Sequence, residues 1–172
     1  MNVIDYDCQQ YGFADILESW FDVTDLSLLH EVKHYGVFSR KNDQSSMWHK
    51  AFYDQFRKDD RFFKLYQRLI MNVVKPRFGE KVVYQTVPTF RIHLCNNLSV
   101  GEWHKDKHYR DTEWAEAVNE INYYLPMTNS FGNNTIWAES EEDKGDFTPF
   151  ELDYGQMGEW DGSNLTHGNK IN

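Results

Sequence analysis

"KVVYQTVPTFRIHLC", residues 81–95, is where the chain changes its period. β-Branched and aromatic residues crowd it, and Phe90, Ile92 and Leu94 alternate with Arg91, His93 and Cys95. Alternation of that kind sets the two groups on opposite faces of a strand. Before Gly79 the apolar residues recur at helical spacing instead. The switch divides one domain, 1–172, into a mainly helical flank, 1–78, and a strand-rich core, 79–172. No repeat, low-complexity tract or linker separates the two parts.

Upstream, Thr24 can cap a short helix carrying Leu26, Leu28, Leu29 and Val32, which Gly36 would end. Asn42 or Asp43 can cap a second, with Trp48, Ala51, Phe52 and Phe56 on one face. A third runs from about Asp59, where two aspartates suit the positive N-terminal dipole, to Pro76. Downstream, strand-like runs fall at 98–104, 120–126, 134–139, 149–153, 156–160 and 164–168, separated by turns such as "TNSFGNN" and "WDGSN". The connection 107–119 carries "DTEWAEAV", with room for a helical turn. Helices followed by regularly spaced short strands predict an α+β fold, with helices packed outside a jelly-roll barrel.

A net charge of -9 argues against binding nucleic acid or an anionic membrane surface. No run of about 18 apolar residues is present to span a membrane, and "MNVIDYDCQQ" lacks the features of a secretory signal. Two cysteines, Cys8 and Cys95, are too few for a disulfide framework. The expectation is a cytoplasmic protein, in a reducing compartment that also suits a ferrous ion.

"WHKDKHY", residues 103–109, carries the chemistry. Residues two apart on a strand point the same way, so His104 and Asp106 would both face a barrel interior. A third ligand from a distant strand would complete a two-histidine, one-carboxylate triad, which holds non-haem Fe(II) and leaves positions open. His167, in "SNLTHGNKIN", is the natural third ligand. His30, His34 and His49 read as surface residues, and His93 as a neighbour of the site or a strand-pairing residue. His108 is four residues after His104, the spacing of a helical zinc pair, but the glutamate of His-Glu-x-x-His is absent. On 120–126, Glu120, Asn122 and Tyr124 share a face, and an inward-facing Asn122 would reach the site. Trp103 alternates away from His104 and should pack outside the metal cavity.

The succession "PTFRIHLCNNLSVGEWHKD", "EINYYLPMT", "NNTIWAES" and "HGN" resembles the Fe(II)- and 2-oxoglutarate-dependent oxygenases. The resemblance is to the streptomycin-biosynthesis-type, phytanoyl-CoA-dioxygenase-like branch, and covers roughly residues 85 to 172. It implies a double-stranded β-helix, the cupin-like jelly roll, with seven runs from residue 90 matching its first seven strands. It also implies that His104, Asp106 and His167 are the iron ligands and catalytic centre. Arg91 and Asn122 become candidates for binding 2-oxoglutarate, with O2 and a small molecule as the other reactants. An aspartate at position 106 implies hydroxylation rather than halogenation, in which that carboxylate is replaced by a small residue.

Members of the superfamily carry an arginine on the eighth barrel strand that pairs with the far carboxylate of 2-oxoglutarate. This sequence ends at Asn172, and that strand is missing from it. The readings that follow are an incomplete sequence of a longer protein, an anchor elsewhere such as Arg91 or Lys170, or a non-catalytic metal-binding cupin-like barrel. A zinc hydrolase using His104 and His108 is a further alternative.

Overall fold

Phe13, Ile16, Leu17, Trp20 and Phe21 recur at helical spacing and wind α1 (Phe13–Phe21), a helix absent from the expectations above. It ends at Asp22, whose left-handed backbone turns its N–H back onto the Glu18 carbonyl. The structure is a computed structural model that describes residues 1–32, 44–79, 81–97, 102–109 and 120–172. Asp25, not Thr24, caps the next turn, its carboxylate accepting from Ser27 N at 2.8 Å. That 3₁₀ turn (Leu26–Leu28) leads into α2 (Leu29–Val32). Ser46 caps α3 (Met47–Lys58); the expected caps Asn42 and Asp43, the stop at Gly36 and His34 lie outside the described residues. α4 (Arg61–Leu69) runs into a wider turn, Ile70–Val74, and a 3₁₀ turn, Lys75–Arg77, that holds Pro76.

These helices bury one aromatic core. Phe13, Leu17, Trp20 and Phe21 of α1 meet Trp48 and Phe52 of α3 and Phe62 and Leu69 of α4. The Trp20 indole N–H donates to Asp59 at 2.8 Å, pinning the α3–α4 corner to α1.

Among the described residues the strands form two three-stranded antiparallel sheets. In one, β5 (Gln156–Trp160) lies between β1 (Asn2–Asp5) and β2 (Asn122–Tyr124). β1 was not foreseen; it pairs along four residues, from Asn2 opposite Glu159 to Asp5 opposite Gln156. In the other, β3 (Trp137–Ala138) lies between β4 (Thr148–Pro149) and β6 (His167–Gly168). Arg77 ties the helical half to the first sheet through a two-pronged ion pair with Glu159 (2.9 and 3.0 Å). That guanidinium, with the Tyr123 hydroxyl, outweighs burial and holds the Glu159 carboxyl down to about 2.

The segment that set the fold class departs from its expectation. Residues 81–94 pair in no regular ladder among the described residues. Their backbone is held by side chains and by the chain's last residues. Phe90 N donates to the Tyr53 hydroxyl (3.2 Å), and Gln85 O accepts from Tyr66 (2.8 Å). The Asn172 amide donates to His93 O (2.9 Å), and Asn96 N donates to Asn172 O (2.7 Å). Those bonds satisfy donors and acceptors that a neighbouring strand would otherwise take. Phe90 and Ile92 still pack on the helical core, as the alternation required. Of the expected run 98–104, residues 98–101 lie outside the described residues, as does most of 107–119.

Candidate metal centre

His104 and His167 are brought together by one antiparallel bridge, in which each backbone N–H donates to the other's carbonyl at 2.9 Å. His167 is also in register with Ala138 on β3, so the bridge adds His104 to the edge of the second sheet. Contrary to the expectation of a shared strand, Asp106 does not follow His104 on a strand but opens a 3₁₀ turn, Asp106–Tyr109. The chain bends there because Asp106 N donates to Gly162 O (2.9 Å), which draws the segment across to the loop after β5. The three side chains converge all the same, with ligand atoms all within 4.8 Å of one another. His104 Nε2 lies 3.4 Å and His167 Nε2 3.7 Å from the same oxygen, Asp106 Oδ1. Adjacent ligands of an octahedral ion with bonds of ~2.1 Å stand about 3 Å apart, so small movements would close the set on a metal.

Both rings are oriented for ligation. His104 Nδ1 meets Glu102 O at 2.6 Å, and His167 Nδ1 meets Leu165 O at 3.0 Å. A carbonyl can only accept, so each Nδ1 carries the ring proton and each Nε2 offers a lone pair. Trp160 packs edge-on against His167 (4.6 Å between centroids) and Tyr109 against His104 (5.1 Å). Asp106 is positioned through its other oxygen, which accepts from Asn122 Nδ2 at 2.9 Å. The Asn122 carbonyl oxygen in turn accepts from Gly162 N at 3.1 Å. Only glycine fits at 162, because a Cβ there would lie 2.7 Å from that oxygen.

The electrostatics agree with the geometry. The hydrogen bond with Asp106 raises His104 above its ordinary pKa, while burial lowers that of His167. Burial pushes Asp106 up, but His104, His167 and Asn122 together outweigh it and bring its carboxyl below the usual range.

The other candidates take definite places. His108 sits exposed on the 3₁₀ turn and is not in the cluster, which disfavours the zinc pair. Trp103 packs on the far side, edge-on to Phe147 and over Gly168, where a Cβ would lie 2.8 Å from its ring. The acidic loop between β3 and β4, "ESEEDKGD" at 139–146, is no free patch for a cation. Glu142 and Asp143 pair with Lys105 (3.0 and 2.7 Å), and Glu142 also pairs with Lys107 (2.7 Å). Lys170 is exposed and lies over the Trp137 ring. Arg91 is close enough for its charge to depress the pKa values of His49, His93 and His104. His93 touches Asn169 Nδ2, at 3.3 Å from Nδ1 and 3.5 Å from Nε2. His49, expected at the surface, is buried beside Ser46. The signal was there: His49 is three residues before Phe52 and seven before Phe56, so it shares their helix face.

In sequence the chain is 32% identical over 167 residues to the streptomycin biosynthesis protein StrG of Streptomyces griseus, an alignment that covers 97% of this chain and 75% of that protein. No protein-family model and no solved structure matches it.

Proposed function

This chain belongs to the family of the streptomycin biosynthesis protein StrG, and on that premise we propose that it is an enzyme of secondary metabolism: an Fe(II)- and 2-oxoglutarate-dependent oxygenase that hydroxylates a small molecule. One observation carries the reading. Two histidines, each with Nδ1 committed to a backbone carbonyl, aim Nε2 at a single oxygen of one aspartate. Two neutral nitrogens and one carboxylate on one side of an ion are the donor set of non-haem Fe(II) oxygenases. The proposed setting for this set is a jelly-roll barrel, and the two antiparallel sheets are compatible with one.

Bound Fe(II) would supply oxygen activation coupled to oxidation of 2-oxoglutarate, chemistry that belongs to the metal and cosubstrate. The chain's own residues do the rest. His104, Asp106 and His167 would hold the ion through two imidazole nitrogens and one carboxylate oxygen. Trp160 and Tyr109 shield the imidazoles from water. Arg91 supplies positive charge within reach of the centre. Asn122 has both ends of its amide committed, to Asp106 and to Gly162, so its part is to position the carboxylate rather than to bind cosubstrate.

Anaerobic titration of the chain with Fe(II) and 2-oxoglutarate should produce a visible metal-to-ligand charge-transfer band, and admission of oxygen should yield succinate. A chain that binds Fe(II) but shows neither band nor succinate would falsify the oxygenase reading. Asn122→Ala should weaken Fe(II) binding by about 10- to 100-fold, the usual cost of removing a group that orients a ligand. Competition with a chromophoric chelator measures it, and unchanged affinity would remove Asn122 from the site.

A further inference from the structure

The peptide that joins Leu165 to Thr166 lies between His167 and a buried carboxylate. Its carbonyl accepts from His167 Nδ1 at 3.0 Å, and its N–H donates to Glu139 Oε1 at 2.6 Å. A trans peptide is planar, so its C=O and N–H point opposite ways and turn together. Whatever fixes the N–H therefore fixes the carbonyl, and with it the His167 ring. Glu139 stands just after β3, where Ala138 is in register with His167, and its own N–H donates to Thr166 O at 3.2 Å. In a regular antiparallel pair the Thr166 N–H would return that bond to the Glu139 carbonyl. Here the Glu139 side chain takes it instead.

That exchange puts a charge where a neutral carbonyl would serve the ladder. Glu139 is 3% exposed, and its second oxygen accepts from Gly145 N at 3.2 Å. Burial pushes the carboxyl up, but donors on Thr166, Gly145 and Asp143 outweigh it and hold it down to about 2, so Glu139 is anionic. Burying a charge is costly, which calls for a role beyond closing the loop 139–146. Asp146 already closes that loop, accepting from Ser140 N at 2.9 Å and from Ser140 Oγ at 2.7 Å. What the Glu139 charge adds is polarisation. A charge-assisted bond at the N–H makes the Leu165 carbonyl a stronger acceptor. A stronger acceptor secures the proton on His167 Nδ1 and makes Nε2 the better metal ligand.

We infer that Glu139 is a positioning residue of the metal centre, acting on His167 through the Leu165–Thr166 peptide. Carboxylate, peptide and imidazole form one chain of hydrogen bonds, with the metal at its end. The inference deepens the Fe(II) reading and rests on it for the metal, while the hold of Glu139 on the imidazole is testable in the metal-free chain.

NMR of isotope-labelled histidine nitrogens, in the metal-free chain at alkaline pH, reads the tautomer of each imidazole. The comparison takes wild type, Glu139→Gln, Glu139→Ala and Asp146→Ala, with His167→Gln to assign the signal. Wild-type His167 should carry its proton on Nδ1. Glu139→Ala should shift it towards a mixture of the two tautomers, and Glu139→Gln less far, because an amide oxygen still accepts the Thr166 N–H. Asp146→Ala loosens the same loop without touching the peptide and should match the wild type. Mn(II) competition against a chromophoric chelator, run below the melting transition, should rank the chains the same way. Glu139→Gln should bind about tenfold more weakly, Glu139→Ala up to about a hundredfold, and Asp146→Ala as the wild type does. An unchanged tautomer or an unchanged Mn(II) affinity in both Glu139 variants overturns the inference, however far their melting temperatures fall. Equal losses in Asp146→Ala overturn it too, since the loop as a whole would then be the cause. A wild-type chain that takes up no Mn(II) sinks the metal reading instead, and the tautomer shift alone then decides whether Glu139 holds His167.

Discussion

Asp106→Ala should cost the chain its hold on Fe(II), by at least a factor of about one hundred, and with it all succinate formation from 2-oxoglutarate. Loss of a group that merely orients a ligand costs about 10- to 100-fold, and Asp106 supplies a ligand and the only negative charge of the cluster. Without it, His104 and His167 would offer two neutral nitrogens whose rings stand 4.3 Å apart. The fold should survive, because the hydrogen bond that draws residue 106 to Gly162 is made by its backbone N–H. Removing the carboxylate also removes the main cause of the raised His104 pKa, so that histidine should titrate lower in the metal-free variant. In the wild type, protons compete with the metal for His104 and Asp106, so Fe(II) affinity should fall as the pH drops through the raised His104 value. Three measurements check this: chelator competition, succinate assay under oxygen, and NMR titration of the imidazoles. Full Fe(II) affinity in the variant would remove Asp106 from the site.

The triad was legible because its information is local. A histidine, an aspartate two residues on and a distant histidine in a strand-like run are visible without knowing how the strands pair. The means of bringing them together was not. The strand rule put His104 and Asp106 on one face of one strand. In the structure His104 makes an isolated bridge to His167, and a 3₁₀ turn tied to Gly162 re-aims Asp106. Those are bonds to partners some sixty residues away, which no window of sequence contains. The same limit explains 81–94. Its alternation marked the packing of Phe90 and Ile92 correctly, but the partners of its backbone, Tyr53, Tyr66 and Asn172, come from elsewhere in the chain. β1 escaped notice because four residues at the N-terminus carry almost no periodic signal and form a strand only against β5. His49 and α1 are different cases, since helical spacing in the sequence marked both.

Phe52→Ala should be the most destabilising single truncation in the helical half. Phe52 is fully buried, and its ring stacks on Phe90 with centroids 4.3 Å apart and planes 8° from parallel. Around it lie Trp20, Tyr53, Phe56 and Phe62, all with centroids within 6.0 Å. Truncating such a residue removes its transfer free energy and leaves a cavity that rigid rings close poorly, at a cost of about 3–5 kcal/mol. That is a large share of the roughly 5–15 kcal/mol that stabilises a domain. For a chain of this length each kcal/mol moves the melting temperature by about 2–4 °C, so thermal denaturation should show a fall of roughly 6–20 °C. Val83→Ala, at a residue 93% exposed, is the control and should change stability by less than about 0.5 kcal/mol. The effect should also reach the candidate metal centre. Phe52 is the ring against which Phe90 rests, and Phe90 precedes Arg91 on a segment with no ladder of its own. Below the melting transition, Phe52→Ala should therefore weaken 2-oxoglutarate binding, for which Arg91 is a candidate, more than metal binding, since His104, Asp106 and His167 hang on β6 and the loop after β5 instead. A loss of stability under about 1 kcal/mol, with ligand binding intact, would mean that helix α3 is not what holds residues 85–97 in place.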